Sequence, residues 1–521
     1  MITGVYKTQF SGREPILLLF IISLLCVVAF GVRILHIDEP PGEFQPTRAY
    51  HGFIMARAYY YEALESAPEW KREIASLNKQ AEYSAEPPIL DLTASFAYRI
   101  LGGEHIWIPR ILATVCWIAG GIFLYLIAKR ILPAGAALFS TAFYLFLPYG
   151  ILASRSFQPD PLMIMALLFS IFAILRYYEQ PSTPRLVIAA LASALTLFIK
   201  PGVCLFQLFG VFVSLGIYKQ GLRRTLIGPH SAIFAVLSLL PMLIYVLYGT
   251  FVAGFFGTQV ERTLSPHLLL QPSFWAAWLL QINIVVGPYF IVALLGFLML
   301  SKGLARALLI GLWVGYLIFG LVFTNQIIHD YYSLQLIPVV ALSLGPIIAL
   351  IIDYLAQVAT QRYQRAAIVG VLLLAGLLAV GASINYRHHY DANALDIDDK
   401  VKMYEEVGGI VNHSASTLIS APDYGEPLKY HGWLSGEVWP PWDDIDDGEK
   451  NPGTSELTME ERLDKLEAKS EYPPDYFVII RDLNYGRFED QTELYEFLGK
   501  KHPIVAEGVD YWIFDLTKSI D

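Results

Sequence analysis

The stretch PILLLFIISLLCVVAFGVRIL, residues 15–35, decides the fold class. It is apolar along nearly its whole length, and roughly 20 such residues cross the hydrocarbon core of a bilayer as one helix. The stretch is too long for the apolar region of a cleaved signal peptide, and no small-residue cleavage site follows it. It therefore predicts a membrane-spanning helix.

Further apolar runs follow the first one, and some of them are short for a complete span. They lie near residues 108–128, 133–152, 162–175, 186–199, 203–218, 227–248, 282–300, 307–323, 332–352 and 366–384. The composition agrees with this interpretation, because 55% of the 521 residues are hydrophobic and only 16% are charged, with a mean hydropathy of +0.47. A soluble protein needs more surface charge than this, and the aromatic content excludes disorder. We expect about eleven transmembrane helices, within a range of about eleven to thirteen.

Charge divides the chain into two parts. Residues 387–521 carry 30 acidic and 13 basic residues, whereas residues 1–386 carry 17 acidic and 24 basic ones. Nucleic acid is not an expected partner, because no basic stripe accompanies the aromatic residues. We therefore predict a membrane domain over residues 1–386, with a large first loop at 36–107, and an acidic, water-exposed domain over residues 387–521.

The acidic part predicts a small α/β domain. Short apolar runs at 416–421 and 476–481 are typical of strands, and 503–506 with 510–516 predict a closing strand pair. Residues 456–470 and 490–500 have the spacing of amphipathic helices, and 439–453 is rich in Pro, Asp and Gly, which favours a loop.

Cysteine usage gives no sign of a metal site or a disulfide framework. Cys26, Cys116 and Cys204 all fall in predicted spans, and no zinc-binding pattern exists. We expect no cofactor and no metal ligands, and we keep a divalent cation held by His388-His389 with Asp391 as the alternative.

The basic residues predict the orientation. If the N-terminus is cytoplasmic, the inner segments hold 13 of the Lys and Arg residues, and the short outer loops hold only Arg155, Lys200 and Arg262. Cytoplasmic loops carry an excess of such residues. This distribution places the first loop of a multi-pass protein outside the membrane, and with eleven spans it also places the acidic domain outside.

The scarce acidic residues of the membrane domain are the main functional candidates. Ionisable groups at membrane depth are costly, so they often mark functional sites. On the predicted outer side they are Asp38, Glu39, Glu43, Glu86, Asp160, Glu261 and Asp330. A carboxylate where a span meets water can serve as a general base, and the alternative for each is a helix-end anchor or cap.

Basic and aromatic residues accompany these acids. Arg155 and Lys200 can bind a phosphate or extend to lipid head groups, and Arg262 is a further candidate for phosphate contact. His329 and Tyr331 flank Asp330 at the head of another span, although an interfacial aromatic belt explains a tyrosine there without function.

In their order along the chain, these motifs resemble those of the GT-C glycosyltransferases. The chain is similar to the bacterial relatives of the protein O-mannosyltransferases and to the lipid A aminoarabinose transferases (glycosyltransferase families 39 and 83). The resemblance covers most of residues 15–350. It is carried by Asp38-Glu39, Glu86-Pro87-Pro88, Ile108-Pro109-Arg110, Ser154-Arg155, Asp160-Pro161-Leu162, Ile199-Lys200-Pro201 and His329-Asp330-Tyr331-Tyr332.

The resemblance implies a multi-pass enzyme of a bacterial inner (cytoplasmic) membrane. Such an enzyme moves a sugar from a polyprenyl-phosphate-linked donor to a membrane lipid, lipid A, another glycan or a protein on the outer side of that membrane. It implies Asp38 or Glu39 as the catalytic base and Asp160 as a second active-site acid. It also implies that Lys200 and Arg155 face the carrier phosphate. Glu86 is a departure, because some relatives have Lys before the Pro-Pro pair.

Two other functions remain as alternatives from the sequence. A transporter or lipid flippase needs polar or Gly/Pro-broken helices at the bilayer midplane. Most of the predicted spans instead carry their charged residues only at their ends. A non-catalytic membrane scaffold leaves the charges gathered on the outer side without a role.

Overall fold

The computed structural model of the protein describes residues 14–82, 86–256, 264–358, 397–440, 457–470, 472–481 and 488–520. Several sequence predictions lie outside these residues. They are the span at 366–384, most of the loop at 439–453, Arg262 with Glu261, and the group of His388, His389 and Asp391.

The membrane domain consists of helices joined by short connections. Their bounds are α1 (Glu14–Ile34), α2 (Pro46–Glu62), α3 (Glu69–Ala81), α4 (Ile89–Leu101), α5 (Trp107–Ile131), α6 (Ala134–Phe146), α7 (Pro148–Ala153), α8 (Asp160–Glu179), α9 (Thr183–Ile199), α10 (Leu205–Gln220), α11 (Leu222–Ile227), α12 (Pro229–Phe251), α13 (Pro272–Val286), α14 (Tyr289–Met299), α15 (Leu304–Val322), α16 (Thr324–Ile327) and α17 (Leu336–Val358). Short 3₁₀ turns at Pro266–Leu270 and Asp330–Gln335 also belong to the described part of the domain.

Every predicted apolar run within the described residues falls on one or two of these helices, so the multi-pass helical architecture is confirmed. By length and composition, 6 helices of the described part can cross a membrane, and the bent pair α13 and α14 raises this to 7. Helices α6 and α9 are only 13 and 17 residues long. A 13-residue helix rises about 20 Å, which is less than the bilayer core. The total of eleven spans therefore stays a prediction.

Backbone breaks explain why some apolar runs are divided. The run at 133–152 is interrupted at Leu147, which is extended (φ −60°, ψ 125°) because the following Pro148 disfavours helical geometry there. The run at 282–300 is divided where Gly287 adopts φ 57° before Pro288, and the helices on either side meet at 88°. Hydropathy alone does not detect such breaks.

The first loop forms a helical layer over one end of the membrane domain. This layer is formed by α2, which begins at Pro46, by α3 and by α4, which begins at Ile89. Helix α2 is buried along most of its length and packs against α3 and α4. It also packs against a helix of the C-terminal domain, so it lies between the two parts of the protein.

The C-terminal domain is a mixed five-stranded sheet flanked by helices. The strands are β1 (Thr417–Ser420), β2 (Gly436–Val438), β3 (Tyr476–Ile480), β4 (Ile504–Glu507) and β5 (Tyr511–Asp515), and the helices are α18 (Ile397–Ile410), α19 (Glu426–Gly432), α20 (Met459–Lys469) and α21 (Phe488–Gly499). The strand order is β2-β1-β3-β5-β4, with β1 parallel to β2 and β3, and β5 antiparallel to β3 and β4.

The sequence predicted most elements of this domain. The strands at 416–421 and 476–481, the closing pair and the two amphipathic helices are all present, and a reciprocal Thr458–Glu461 capping box begins α20. The sequence did not predict α18, α19 or β2. The boundary at residues 386 and 387 falls between described segments and stays a prediction.

Candidate active site

Four charged side chains from separate segments meet where the first loop covers the membrane domain. Arg48 lies in the first turn of α2, Glu86 precedes α4, Asp160 begins α8 and Lys200 follows α9. The fold therefore brings together three residues predicted from the sequence, Glu86, Asp160 and Lys200, and adds Arg48.

The four groups alternate in charge and form a closed ring. Arg48 Nη2 lies 3.1 and 3.2 Å from the two carboxylate oxygens of Glu86 and 3.5 Å from Asp160 Oδ2. Lys200 Nζ donates to Asp160 Oδ1 at 2.8 Å and lies 3.5 Å from Glu86 Oε1. The Asp160 side chain is only 1% exposed, whereas that of Glu86 is 26% exposed. The Arg48–Glu86 side of the ring is therefore the accessible one.

Mutual attraction keeps this ring ionised despite its burial. Burial raises the pKa of the Glu86 carboxyl, but Arg48 and Lys200 outweigh it and lower that pKa to about 2. Burial lowers the pKa of the Arg48 guanidinium, but Glu86 and Asp160 hold that pKa well above its usual value. Buried charges are stable only when they are paired in this way.

Two tyrosines cover the cations of the ring. The Arg48 guanidinium lies 4.6 Å from the centre of the Tyr331 ring, and Lys200 Nζ lies 4.9 and 4.6 Å from the centres of Tyr331 and Tyr332. Aromatic faces attract cations at such distances. The predicted site residue Tyr331 therefore joins the cluster through its ring.

The neighbours of Tyr331 connect this segment to the first loop. Asp330 Oδ1 accepts hydrogen bonds from Gln45 Nε2 at 3.0 Å and from the backbone N–H of Tyr331 at 2.7 Å. His329 is exposed and stacks on Tyr331 with ring centres 5.9 Å apart. Asp330 and His329 thus lie beside the ring of charges and help to position Tyr331.

Two cavities meet at this ring. One has a volume of about 270 Å³ and an apolar wall that includes Val203, Met242 and Phe323. The other, called the polar cavity below, has a volume of about 370 Å³ and a wall of mixed character that carries several charged side chains. Glu86 and Tyr332 line both cavities, so they stand at the junction between an apolar and a polar compartment.

The polar cavity contains acidic residues that the sequence did not single out as site residues. Glu82, Asp91 and Glu426 line it together with Arg48 and His51. Burial raises the pKa of the Asp91 carboxyl to about 7, and nearby His51 only partly opposes this while Glu86 adds to it. A carboxyl with a pKa near neutrality is well suited to accept a proton during catalysis.

The predicted bases Asp38 and Glu39 lie outside both of these cavities. Asp38 is exposed, and the Glu39 side chain is 44% exposed and pairs with His36 Nδ1 at 2.5 Å. Their catalytic role remains a prediction from the sequence, and their positions give it no geometric support.

Arg155 lies deeper, in a second charged cluster. It is buried, lies 3.3 Å from Glu43 Oε1 and donates to the backbone carbonyls of Leu35 and His36, which follow α1. Arg110 pairs with the same carboxylate and donates to the carbonyls of Ile37 and Glu39. Burial raises the pKa of Glu43, but the two arginines outweigh it and lower that pKa. This cluster fixes the start of the first loop, and Arg155 lines neither cavity.

No candidate metal centre emerges from the part of the chain that the structure describes. No group of three or more His, Cys, Asp or Glu residues there has the geometry to hold an ion. The alternative at His388 and His389 lies outside these residues, as does Arg262.

Residues 85–206 match the sequence profile of the dolichyl-phosphate-mannose-protein mannosyltransferase family. This segment contains Glu86, Asp160 and Lys200, three of the four ring residues. Over this segment the chain is similar to the GT-C glycosyltransferases of that family. The resemblance inferred from the sequence motifs is therefore confirmed, together with the enzyme class.

The architecture of this glycosyltransferase is similar to that of two solved membrane enzymes. ArnT from Cupriavidus metallidurans bound to undecaprenyl phosphate matches over 97% of this chain and 98% of that one, with a TM-score of 0.57 and 13% identity. The apo oligosaccharyltransferase of Archaeoglobus fulgidus matches over 90% of this chain and 70% of that one, with a TM-score of 0.54 and 13% identity. At this identity the likeness establishes the fold alone. A comparison with curated protein sequences gives no match.

Proposed function

We propose that this glycosyltransferase moves a sugar from a polyprenyl-phosphate-linked donor to a lipid, glycan or protein acceptor on the outer side of a bacterial cytoplasmic membrane. The observation that carries the proposal is the ring of Arg48, Glu86, Asp160 and Lys200 at the junction of an apolar and a polar cavity. A polyprenyl-phosphate sugar has the same order of parts, with an apolar chain, a phosphate and a sugar.

The apolar cavity is the proposed site of the first isoprene units. Its walls come from the segment after α9, from α12 and from the end of α15, which are elements of the membrane domain. An apolar chain bound there is stabilised because it covers apolar protein surface that would otherwise contact water. The bound undecaprenyl phosphate of the ArnT structure supports a carrier of this kind.

Lys200 and Arg48 are the proposed phosphate ligands. Both already hold carboxylates within 3.5 Å, so a phosphate can take the place of the more exposed carboxylate, Glu86, without rearrangement of the cations. Asp160 is buried behind them and holds Lys200 in place. Arg48 takes the role that the sequence assigned to Arg155. The two cations stabilise the negative charge that develops on the phosphate as it leaves.

Asp91 is the proposed catalytic base, in place of Asp38 or Glu39. It lines the polar cavity, where an acceptor arrives from the water side, and its pKa near 7 lets it accept a proton from an acceptor hydroxyl or amine at neutral pH. Glu86, by contrast, is held ionised by two cations and is a weak base until the phosphate displaces it.

The first test separates donor binding from transfer. Purified full-length protein carrying Lys200→Gln or Arg48→Gln is assayed for binding of undecaprenyl phosphate and for sugar transfer in membranes. Each variant is expected to bind at least about tenfold more weakly, since a hydrogen bond to a charged group contributes about 1.5–3 kcal/mol. Lys402→Gln is the matched control, because Lys402 forms an exposed ion pair with Asp399 in the C-terminal domain. Unchanged binding and transfer in both ring variants would contradict the proposal.

A further inference from the structure

Helix α4 has an apolar face that the described residues leave uncovered. Leu92, Phe96 and Ile100 follow one another at intervals of four residues, so they lie on one side of the helix. Their exposed fractions are 48%, 62% and 69%, and Leu101 at the end of the helix is 52% exposed. These four side chains form the apolar face of α4. Apolar surface that is exposed in one continuous patch marks an interaction site.

The other side of α4 packs against the protein. Leu90, Ala94 and Tyr98 are buried in a cluster with side chains of α2 and α5. The same side carries Asp91, which lines the polar cavity, and the buried Ser95. The outward side of α4 is thus at least as apolar as the inward side, which is not the pattern of a helix at a water-exposed surface.

Two polar residues border the apolar face, and neither requires water there. The Thr93 hydroxyl donates to the backbone carbonyl of Ile89 within the helix, so its hydrogen bond is already made. Arg99 donates to the backbone carbonyl of Tyr59 on α2. A long cationic side chain of this kind can also keep its charged end among lipid head groups.

The chain after α4 leads directly into a membrane span. Only residues 102–106 separate α4 from α5, whose length and composition allow it to cross a bilayer. Val115 and Ile122 on α5 are 50% and 43% exposed, as expected for side chains that face lipid. Trp107 begins α5, and tryptophan is enriched where lipid meets water. Since such a linker extends at most about 20 Å, the apolar face of α4 ends close to the membrane boundary.

We propose that the apolar face of α4 lies in the membrane leaflet next to the first loop, with the helix axis along the membrane surface. The partner is a phospholipid surface, because the face is apolar, lies beside a span and belongs to a helix that is polar only at its margins and on its inward side. Helices of this kind bury their apolar face about 5–10 Å deep, at the boundary between head groups and acyl chains.

This position also bears on the proposed catalytic centre. Asp91 lies in the first turn of α4, on the inward side of the helix, and it lines the polar cavity. A docked α4 keeps this wall of the cavity at the depth of the lipid head groups, where the phosphate of a membrane-bound donor also lies. This consequence rests on the proposed function, whereas the docking of α4 does not.

The test uses full-length protein in vesicles of phosphatidylcholine and phosphatidylglycerol. Phe96 is replaced by the photoreactive amino acid p-benzoylphenylalanine, the vesicles are irradiated, and covalently bound lipid is detected by mass spectrometry. We expect a phospholipid adduct at position 96. The same amino acid at Ile122 is the positive control. At Trp70 it is the matched negative control, because Trp70 is also exposed in the first loop but stacks on His413 of the C-terminal domain.

Hydrogen exchange in the same vesicles gives a second measurement. Phe96→Asp should speed the exchange of the α4 amides at least about tenfold, because a carboxylate does not enter the apolar layer and the helix loses its support there. Phe96→Leu keeps an apolar side chain and should retain the exchange rates of the wild type. Val509→Asp is the control for the added charge, because Val509 is 85% exposed in the C-terminal domain.

Two results would overturn the docking of α4, in a preparation in which lipid labels position 122. One is an adduct at position 96 with a second copy of the chain instead of lipid, which would assign the face to a protein interface. The other is the absence of a lipid adduct at position 96 together with unchanged exchange in Phe96→Asp. Neither result would touch the proposed function, which binding of undecaprenyl phosphate and sugar transfer test separately.

Discussion

Asp160 is the residue on which the ring of charges depends most. It is the most deeply buried of the four, and it accepts a hydrogen bond from Lys200, whose side chain is nearly as inaccessible. Removal of one partner of a buried ion pair leaves the other charge uncompensated, at a typical cost of about 3–5 kcal/mol.

We therefore expect Asp160→Asn to lower both thermal stability and transfer. Thermal unfolding of the purified protein and sugar transfer in membranes measure the two effects. Asp399→Asn is the control, because it removes an exposed partner of Lys402 and such pairs contribute about 0–1 kcal/mol. Wild-type stability and activity in Asp160→Asn would show that the ring is not a coupled unit.

Asp91 predicts a pH dependence of the reaction. A base acts only when it is deprotonated, and burial raises the pKa of this carboxyl to about 7, so the transfer rate should fall as the pH drops below about 7. The groups that face it are His51 and Glu86.

Asp91→Asn should be slow at every pH and should lose this acidic limb, whereas Asp38→Asn and Glu39→Gln should keep it. A pH series of transfer rates at saturating donor distinguishes these outcomes. Normal transfer in Asp91→Asn, with losses in the other two variants, would instead identify Asp38 or Glu39 as the base.

At the scale of elements, the contact between α2 and α19 joins the first loop to the C-terminal domain. Arg57 is buried in this contact, and its guanidinium lies 2.8 Å from Glu104 Oε1 and 3.7 and 3.9 Å from the ring centres of Tyr430 and Trp433. The planar guanidinium can stack and pair at the same time, which a lysine cannot reproduce.

Arg57→Lys and Arg57→Ala should both loosen this contact. We expect faster hydrogen exchange in α19 and β2, with little change in α8 and α10, because these helices pack within the membrane domain. Arg99→Ala is the control, since Arg99 is exposed and donates to the backbone carbonyl of Tyr59. Unchanged exchange in α19 would mean that other contacts hold the domain.

The sequence predicted the elements better than it predicted their partners. Asp160 and Lys200 could be found because few charged residues lie near the membrane, which makes each of them conspicuous. Arg48 could not be separated from the many other charges of the first loop by any local pattern. Glu426 could not be found either, because only the packing of α19 on α2 brings it to the site.

At the scale of the whole molecule, the enzyme is a membrane domain and a C-terminal domain with the helices of the first loop between them. Hydropathy predicted the helical runs, yet it could not show that Pro148 and Gly287 divide two of them. The order of the motifs indicated the enzyme class, whereas the role it suggests for Asp38 and Glu39 stays a prediction, because their surroundings depend on how the loop turns after α1. Such turns depend on tertiary contacts, here those of Arg110 and Arg155 with Glu43.

Without substrate, the two cations of the ring are already paired with its two carboxylates. Glu86 occupies the cations that a phosphate would contact, and it stays attached to the chain when it is displaced. In the proposed site, donor binding is an exchange of one anion for another, and the Glu86 carboxylate remains a competitor at very high local concentration. In that mechanism the spent carrier phosphate faces this competitor after transfer, so Glu86 would help to expel the product.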